Sequence, residues 1–216
     1  MESRDQDTPT PGKRIIFFAD PMCSWCWGFA PVVKAIHAEF GDMAPIRLVV
    51  GGLRAGETRA MDDKSKNYIR DHWEHVKSAT GQPFDFGFFD RDGFVYDTEP
   101  ACRAVVAARN LTPAMALSYF EAVQRAFYVE NRDVTDGDTL TDIAHSVGID
   151  RAAFEAVFAA TEISEATRAD FSLTNALGIS GFPTVILEDK AGQAYLTIGY
   201  RPLEAIRPHV ALWLRA

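Results

Sequence analysis

The order of hydrophobic patterns along the chain restricts the fold more than any other feature. Ile15 to Ala19 is a short continuous apolar run, β-branched and aromatic, as in a strand buried on both faces. Asp20 and Pro21 break it. From about Ser24 to Phe40 the apolar residues Phe29, Val32, Val33, Ile36 and Phe40 recur at helical spacing, with Pro31 inside the pattern to kink it and Gly41 to stop it. Ile46 to Val50 reads as a second strand, ending at Gly51-Gly52. Strand, helix and strand of these lengths predict a parallel, right-handed crossover unit. Residues 58–178 then lose the alternating pattern. They carry helical ones instead: about Met61 to Ser78, Thr98 as N-cap to Asn110, Pro113 to Glu130, Asp138 as cap to Gly148, a helix capped by Asp150, and Thr161 to Gly178. Residues 82–97, rich in Phe, Asp and Gly, form an irregular aromatic-packed connection. Strands return at Thr184 to Leu187 and Tyr195 to Ile198 around the turn Asp189 to Gly192, which predicts an antiparallel hairpin. A helix from Pro202 to Leu214 closes the chain. The whole reads βαβ, a helical block, then ββα.

The composition narrows the function. The 216 residues hold 22 basic and 30 acidic side chains, a net charge of −8. That argues against a nucleic-acid partner, which needs a basic footprint, and against docking on anionic membranes. No apolar run reaches the roughly 18–20 residues needed to span a bilayer. The N-terminus, MESRDQDTPTPGK, lacks the apolar segment of a secretory signal, and residues 1–12 read as a disordered tail. Three cysteines are too few for a secreted disulfide scaffold. A cytoplasmic protein is the expectation.

Chemistry concentrates at Cys23-Ser24-Trp25-Cys26, where the first strand hands over to the first helix. Free N–H groups at a helix N-terminus carry about half a positive charge and favour a nearby anion. Cys23 there is expected to be the acidic thiol. Cys26, one turn on, can resolve a mixed disulfide formed on Cys23. Two plainer readings compete: a pair of core cysteines, or half a zinc site. The zinc reading lacks ligands, because Cys102 is far along the chain and His72 and His75 fit no finger spacing. Those histidines are expected on a solvated helix face with Asp71 and Glu74. Asp20 is read as a loop cap, with proton acceptance as the alternative. Cys102, among Ala101, Val105 and Val106, is read as a buried inert thiol. Trp27 and Phe29 are assigned to the core, Trp25 to the mouth of the site.

The stretch FFADPMCSWCWGFAP, residues 17–31, resembles the active-site segment of thioredoxin-fold oxidoreductases, and more narrowly that of cytosolic relatives of DsbA, the bacterial disulfide oxidoreductase. In that family a proline follows the second cysteine by five residues, as Pro31 does here, and a helical insertion interrupts the thioredoxin fold after its βαβ half. The resemblance covers nearly all of residues 13–216. It implies an α/β thioredoxin-like fold with a mixed central sheet. The halves would be residues 13–57 and 179–216, with an all-α insertion over 58–178. It also implies a cis-proline in Gly181-Phe182-Pro183-Thr184. Pro183 would lie against the sulfurs, and the Phe182 backbone would pair with an extended substrate. The phenyl ring of Phe182, where the family often has a small or β-branched residue, would narrow the site.

Three functions fit these residues. The first is a thiol–disulfide oxidoreductase of reductase or isomerase type. Its catalytic residues would be Cys23 and Cys26, its substrate-binding residues Ser24, Trp25, Phe182 and Pro183. Its substrates would be protein or glutathione thiols and disulfides. It needs no bound cofactor and no metal, since glutathione or a reductase system supplies electrons. Ser24 and Trp25 lack the histidine of strong oxidants, so in a reducing cytosol the pair would rest as a dithiol. The second is an adaptor that delivers a regulator to a protease, binding its partner through the helical block while the cysteines sense oxidants. The third is a glutathione-dependent isomerase or transferase. Relatives with that chemistry typically place serine first, so the Cys23/Cys26 pair counts against it.

Overall fold

A computed structural model of the protein describes residues 12–216, so the tail expected over residues 1–12 lies outside it except for Gly12. The chain opens with β1 (Arg14–Ala19), α1 (Ser24–Phe40) and β2 (Ile46–Val50). Six α-helices follow: α2 (Asp63–Thr80), α3 (Glu99–Leu111), α4 (Ala116–Tyr128), α5 (Gly137–Ser146), α6 (Arg151–Phe158) and α7 (Thr161–Ala176). Short 3₁₀ turns at Phe86–Asp90 and Pro113–Met115 join them. The chain closes with β3 (Thr184–Asp189), β4 (Gly192–Ile198) and α8 (Leu203–Arg215).

The four strands form one mixed sheet in the order β2-β1-β3-β4. β1 runs parallel to β2, with Phe17 opposite Leu48, and antiparallel to β3, with Phe17 opposite Val185. β4 adds antiparallel to β3 as an edge. The unbroken apolar run of β1 has a direct cause in this arrangement. Ile15, Phe17 and Ala19 face the main core with α1 and the helical block, whereas Ile16 and Phe18 face a smaller cluster with Val49, Ile179 and Ile186. Both faces are covered from Ile15 to Ala19, so the strand is apolar beyond its exposed first residue, Arg14.

Aspartate side chains cap three of the eight α-helices in the described residues, α2, α5 and α6. Asp62 accepts from Ser65 N at 2.8 Å, and Asp150 from Ala153 N at 2.9 Å. One expected cap needs correction. The cap of α5 is Asp136, whose carboxylate accepts from Thr139 N at 2.8 Å; Asp138 lies inside the first turn. Thr98 is the N-cap residue of α3, as expected, but its side chain makes no cap bond. Its Oγ1 accepts instead from Arg54 N at 3.2 Å, and Asp97 accepts from Glu99 N.

Pro31 sits inside α1 and has no N–H to give to the carbonyl of Trp27, four residues back. That carbonyl accepts from Gln82 Nε2 at 2.9 Å, and the Trp27 indole donates to Pro83 O at 3.0 Å. The orphan created by the proline thus anchors the connection after α2. That connection is aromatic-packed, as its composition predicts. Trp73 of α2 is fully buried among Phe84, Phe88, Phe89 and Tyr128, with ring centroids 4.8–5.2 Å away.

The helical block also closes the edge at β2. Asp170 of α7 accepts from Val50 N at 3.0 Å and from Arg109 Nη1 of α3 at 2.7 Å, and Arg109 donates onward to Leu48 O. These side chains occupy the backbone groups an exposed edge would leave open.

Candidate active site

Cys23 is the N-cap residue of α1, in extended conformation, and its carbonyl accepts from Trp27 N. The thiol stands at the open end of the helix, where N–H groups are unsatisfied. The loop before it is held by Asp20. The Asp20 carbonyl accepts from Cys23 N, and its carboxylate accepts from Met22 N at 2.8 Å and from Leu53 N at 2.7 Å. The capping role expected of Asp20 is thus its geometry here, and it joins the β1–α1 and β2–α2 loops. Asp20 is fully buried. Burial raises its carboxyl above the usual carboxylate range, opposed by the N–H groups of Leu53 and Met22.

Cys23 is 6% exposed and Cys26, behind it, is 0% exposed. Burial and the neighbouring Cys23 push the Cys26 thiol well above its ordinary range. Cys102 of α3 is buried too, as its apolar stretch predicts, and its thiol contacts the Asp20 carboxylate at 3.4 Å. Burial first, then the Asp20 charge, pushes that thiol up. Cys23 lines a cavity, and neither Cys26 nor Cys102 is among that cavity's lining residues.

The segment Gly181-Phe182-Pro183-Thr184 closes over the thiol. The Phe182–Pro183 peptide bond is cis, and Phe182 O lies 3.6 Å from Cys23 Sγ, placed to accept from the thiol. The Phe182 ring packs on Gly51: a Cβ there would fall 1.9 Å from its Cζ. Glycine at 51 is what lets the ring occupy that space.

The cavity measures about 410 Å³. Cys23, Ser24, Trp25 and Phe182 line one side of it, so the structure brings these predicted site residues together, with Pro183 buried just behind. Trp25 is half-buried, its ring 5.9 Å from Tyr200. Trp27 and Phe29 are core residues, as expected. The other side comes from residues the sequence reading did not assign to the site: Leu53, Arg54, Tyr68 and Tyr96. His72 requires a correction. Asp71, Glu74 and His75 are exposed as expected, but His72 is half-buried on the cavity wall, edge-on to Tyr68 at 4.5 Å. The signal was present on α2: Tyr68 and His72 are four residues apart, beside Ile69 and Trp73, on the face that meets the core. Among the described residues no group of three or more His, Cys, Asp or Glu is placed to hold a metal ion, and no helix is long and apolar enough to cross a membrane.

Comparison with known proteins agrees with this geometry. A Nitrosomonas europaea protein provisionally assigned as a protein disulfide isomerase is 39% identical, with a TM-score of 0.89 over 94% of this chain and 98% of its own. The cytosolic disulfide reductase DsbM from Pseudomonas aeruginosa is 27% identical, with a TM-score of 0.78 over 94% of this chain and 98% of its own. The ClpXP adapter protein SpxH of Bacillus subtilis is 23% identical over 82% of this chain; the match spans 58% of that relative's length. The DSBA-like thioredoxin domain matches residues 14–211, the strands, helices and cysteine pair described above included, and the chain belongs to that family.

Proposed function

We propose that this protein is a thiol–disulfide oxidoreductase of the reductase or isomerase type, acting in the cytoplasm. One observation carries the reading: a single thiol, Cys23, lines an open cavity at a helix N-terminus, with a second, fully buried thiol three residues behind it. The asymmetry assigns the roles. Cys23 can reach a substrate and Cys26 cannot, so Cys23 attacks and Cys26 resolves. The helix N-terminus favours the Cys23 thiolate, which attacks one sulfur of the substrate disulfide; Cys26 then attacks Cys23 Sγ of the mixed disulfide, and the remaining substrate thiolate is the leaving group. Burial holds Cys26 protonated until a mixed disulfide brings sulfur within its reach. Phe182 O and the apolar surface of Trp25, Phe182 and Tyr68 give an extended or apolar substrate its footing. The likeness to DsbM supports the reductase direction and the compartment.

The test is a trap. Cys26→Ser exposed to a disulfide substrate is expected to accumulate a mixed disulfide on Cys23, seen by mass spectrometry. Cys23→Ser is expected to form none and to reduce no model disulfide. Absence of any adduct on Cys23 in Cys26→Ser would refute the mechanism.

The SpxH relatives favour a second reading, an adaptor that binds a protein partner. That function would survive replacement of both cysteines by serine, whereas disulfide exchange would not. Partner binding unchanged in the double variant, with no exchange in the wild type, would decide for the adaptor.

A further inference from the structure

We infer that the Cys23 cavity selects a small disulfide that carries a carboxylate, and that the Arg54 guanidinium receives that carboxylate. This rests on the oxidoreductase reading and adds to it a specificity-determining residue, Arg54, which would favour anionic disulfides of low-molecular-weight thiols over neutral ones.

Arg54 lines the Cys23 cavity and also a second, adjoining cavity of about 210 Å³ formed with Glu57, Arg59, Asp62 and Tyr96. The other charged groups of that second cavity are committed. Arg59 pairs with Glu57 at 3.5 Å, Glu57 accepts from the N–H groups of Thr58 and Arg59, and Asp62 caps α2. The Arg54 guanidinium, among the described residues, has no carboxylate within 4.0 Å and donates no hydrogen bond. It is nevertheless fixed in place. Its Cζ lies 5.3 Å from the centroid of the Tyr96 ring, and its backbone N–H is held by Thr98 Oγ1. Tyr96 in turn donates through its hydroxyl to Met22 O at 2.6 Å, one residue before Cys23. A stacked guanidinium keeps its in-plane N–H donors free for a carboxylate. It is therefore a preset anion receptor, tied through Tyr96 to the loop that carries the reactive thiol.

Charge and size support the assignment. A chain of net charge −8 repels anions in general, so an anionic substrate requires a local cation, and Arg54 supplies it beside the thiol. A cavity of about 410 Å³ suits a small molecule rather than only a flat protein surface. His72 is the other ionisable nitrogen base on its wall, and Trp25, Tyr68 and Phe182 face the carbon skeleton.

The exchange balances. Cys23 thiolate attacks one sulfur of the disulfide RSSR; that S–S bond breaks and RS⁻ leaves, taking up a proton as RSH. Cys26, losing its proton to solvent, then attacks Cys23 Sγ and releases the second RSH. Two electrons pass from the protein dithiol, now a disulfide, to the substrate. A low-molecular-weight thiol reverses both steps to restore the dithiol.

Two measurements on the full chain test this. The first compares second-order rates of the pre-reduced protein with dianionic 3,3′-dithiodipropionate and neutral bis(2-hydroxyethyl) disulfide, each scaled to a free thiol. Arg54→Gln is expected to slow the dianion about tenfold and the neutral disulfide less than about twofold, with Arg54→Lys in between. The second measures binding of S-methylglutathione, which cannot exchange, by calorimetry; Arg54→Gln is expected to weaken it by about the same factor. Equal effects on both disulfides, or affinity for S-methylglutathione indifferent to Arg54, would overturn the inference and leave the oxidoreductase reading standing. A wild type no faster than a free thiol with either disulfide would instead sink the oxidoreductase reading, and the calorimetric comparison alone would then decide whether Arg54 binds the anion.

Discussion

At the scale of single residues, Asp20 concentrates the most physical consequence. It is buried, accepts two backbone N–H groups from two different loops, and touches the Cys102 thiol. Because burial raises its folded pKa, the native state holds a proton that the unfolded chain has already released. The stability tied to that proton is fully present below the unfolded value of about 3.9 and is lost as pH rises through the folded value. Unfolding free energy is therefore expected to fall by up to about 1.4 kcal/mol per pH unit across that window, and the slope is expected to vanish in Asp20→Asn. Urea titrations at closely spaced pH, on both proteins, check it; parallel curves would show that Asp20 is not the titrating group. The aspartate three residues before Cys23 was visible in the sequence, and its capping role could be argued from the loop. Its bond to Leu53 could not, because that contact joins residues 33 positions apart.

At the scale of elements, the start of α1 shows how one residue recruits another element. Pro31 deprives the Trp27 carbonyl of its helical partner, and Gln82 supplies a substitute from beyond α2. Gln82→Ala is expected to cost about 1 kcal/mol in the wild type, the net worth of one buried hydrogen bond. In a Pro31→Ala background the N–H introduced at position 31 can take the carbonyl, so the same change is expected to cost less. A double-mutant cycle from urea denaturation reads the coupling, and simple additivity would refute it. The limits of α1 and β2 were legible because both carry strong local signals, helical spacing with Gly41 beyond it and a β-branched run ended by Gly51-Gly52. The cap of α5 was not. Asp136 and Asp138 are equally good local candidates, and packing of the helix decides which becomes Ncap.

At the scale of the whole molecule, the main core runs without interruption from β1 and β3 through α1 into α3, α4, α5 and α6. Thermal unfolding is accordingly expected to be a single transition, with far- and near-UV circular dichroism superimposed; two resolved steps would contradict a shared core. The polar counterpart of that core is the Arg109–Asp170 pair on the β2 edge. Its side chains are 24% and 6% exposed, and Asp170→Ala would strand a largely buried guanidinium together with the Val50 N–H. The expected loss is about 3 kcal/mol, measured as a lower urea midpoint at unchanged slope. A loss within experimental error would mean that water replaces the carboxylate.

Taken by itself, the sequence determined the order of elements, the mixed α/β architecture and the place of the Cys23/Cys26 pair at the junction of β1 and α1. Those features are written in local patterns: periodicity, Gly and Pro punctuation, and two cysteines at a strand-to-helix junction. The far wall of the cavity came only from the tertiary structure. Arg54 and Tyr96 lie 31 and 73 residues beyond Cys23, and no pattern within either stretch marks them as neighbours of a thiol. His72 looked like part of a solvated face because Asp71, Glu74 and His75 near it are polar; the packing of α2 against the core put it on the cavity wall. Packing likewise separated three similar cysteines: Cys23, 6% exposed, lines the cavity, whereas Cys26 and Cys102 are 0% exposed. Accessibility and charge environment are properties of what surrounds a residue in space, and only the folded chain decides them.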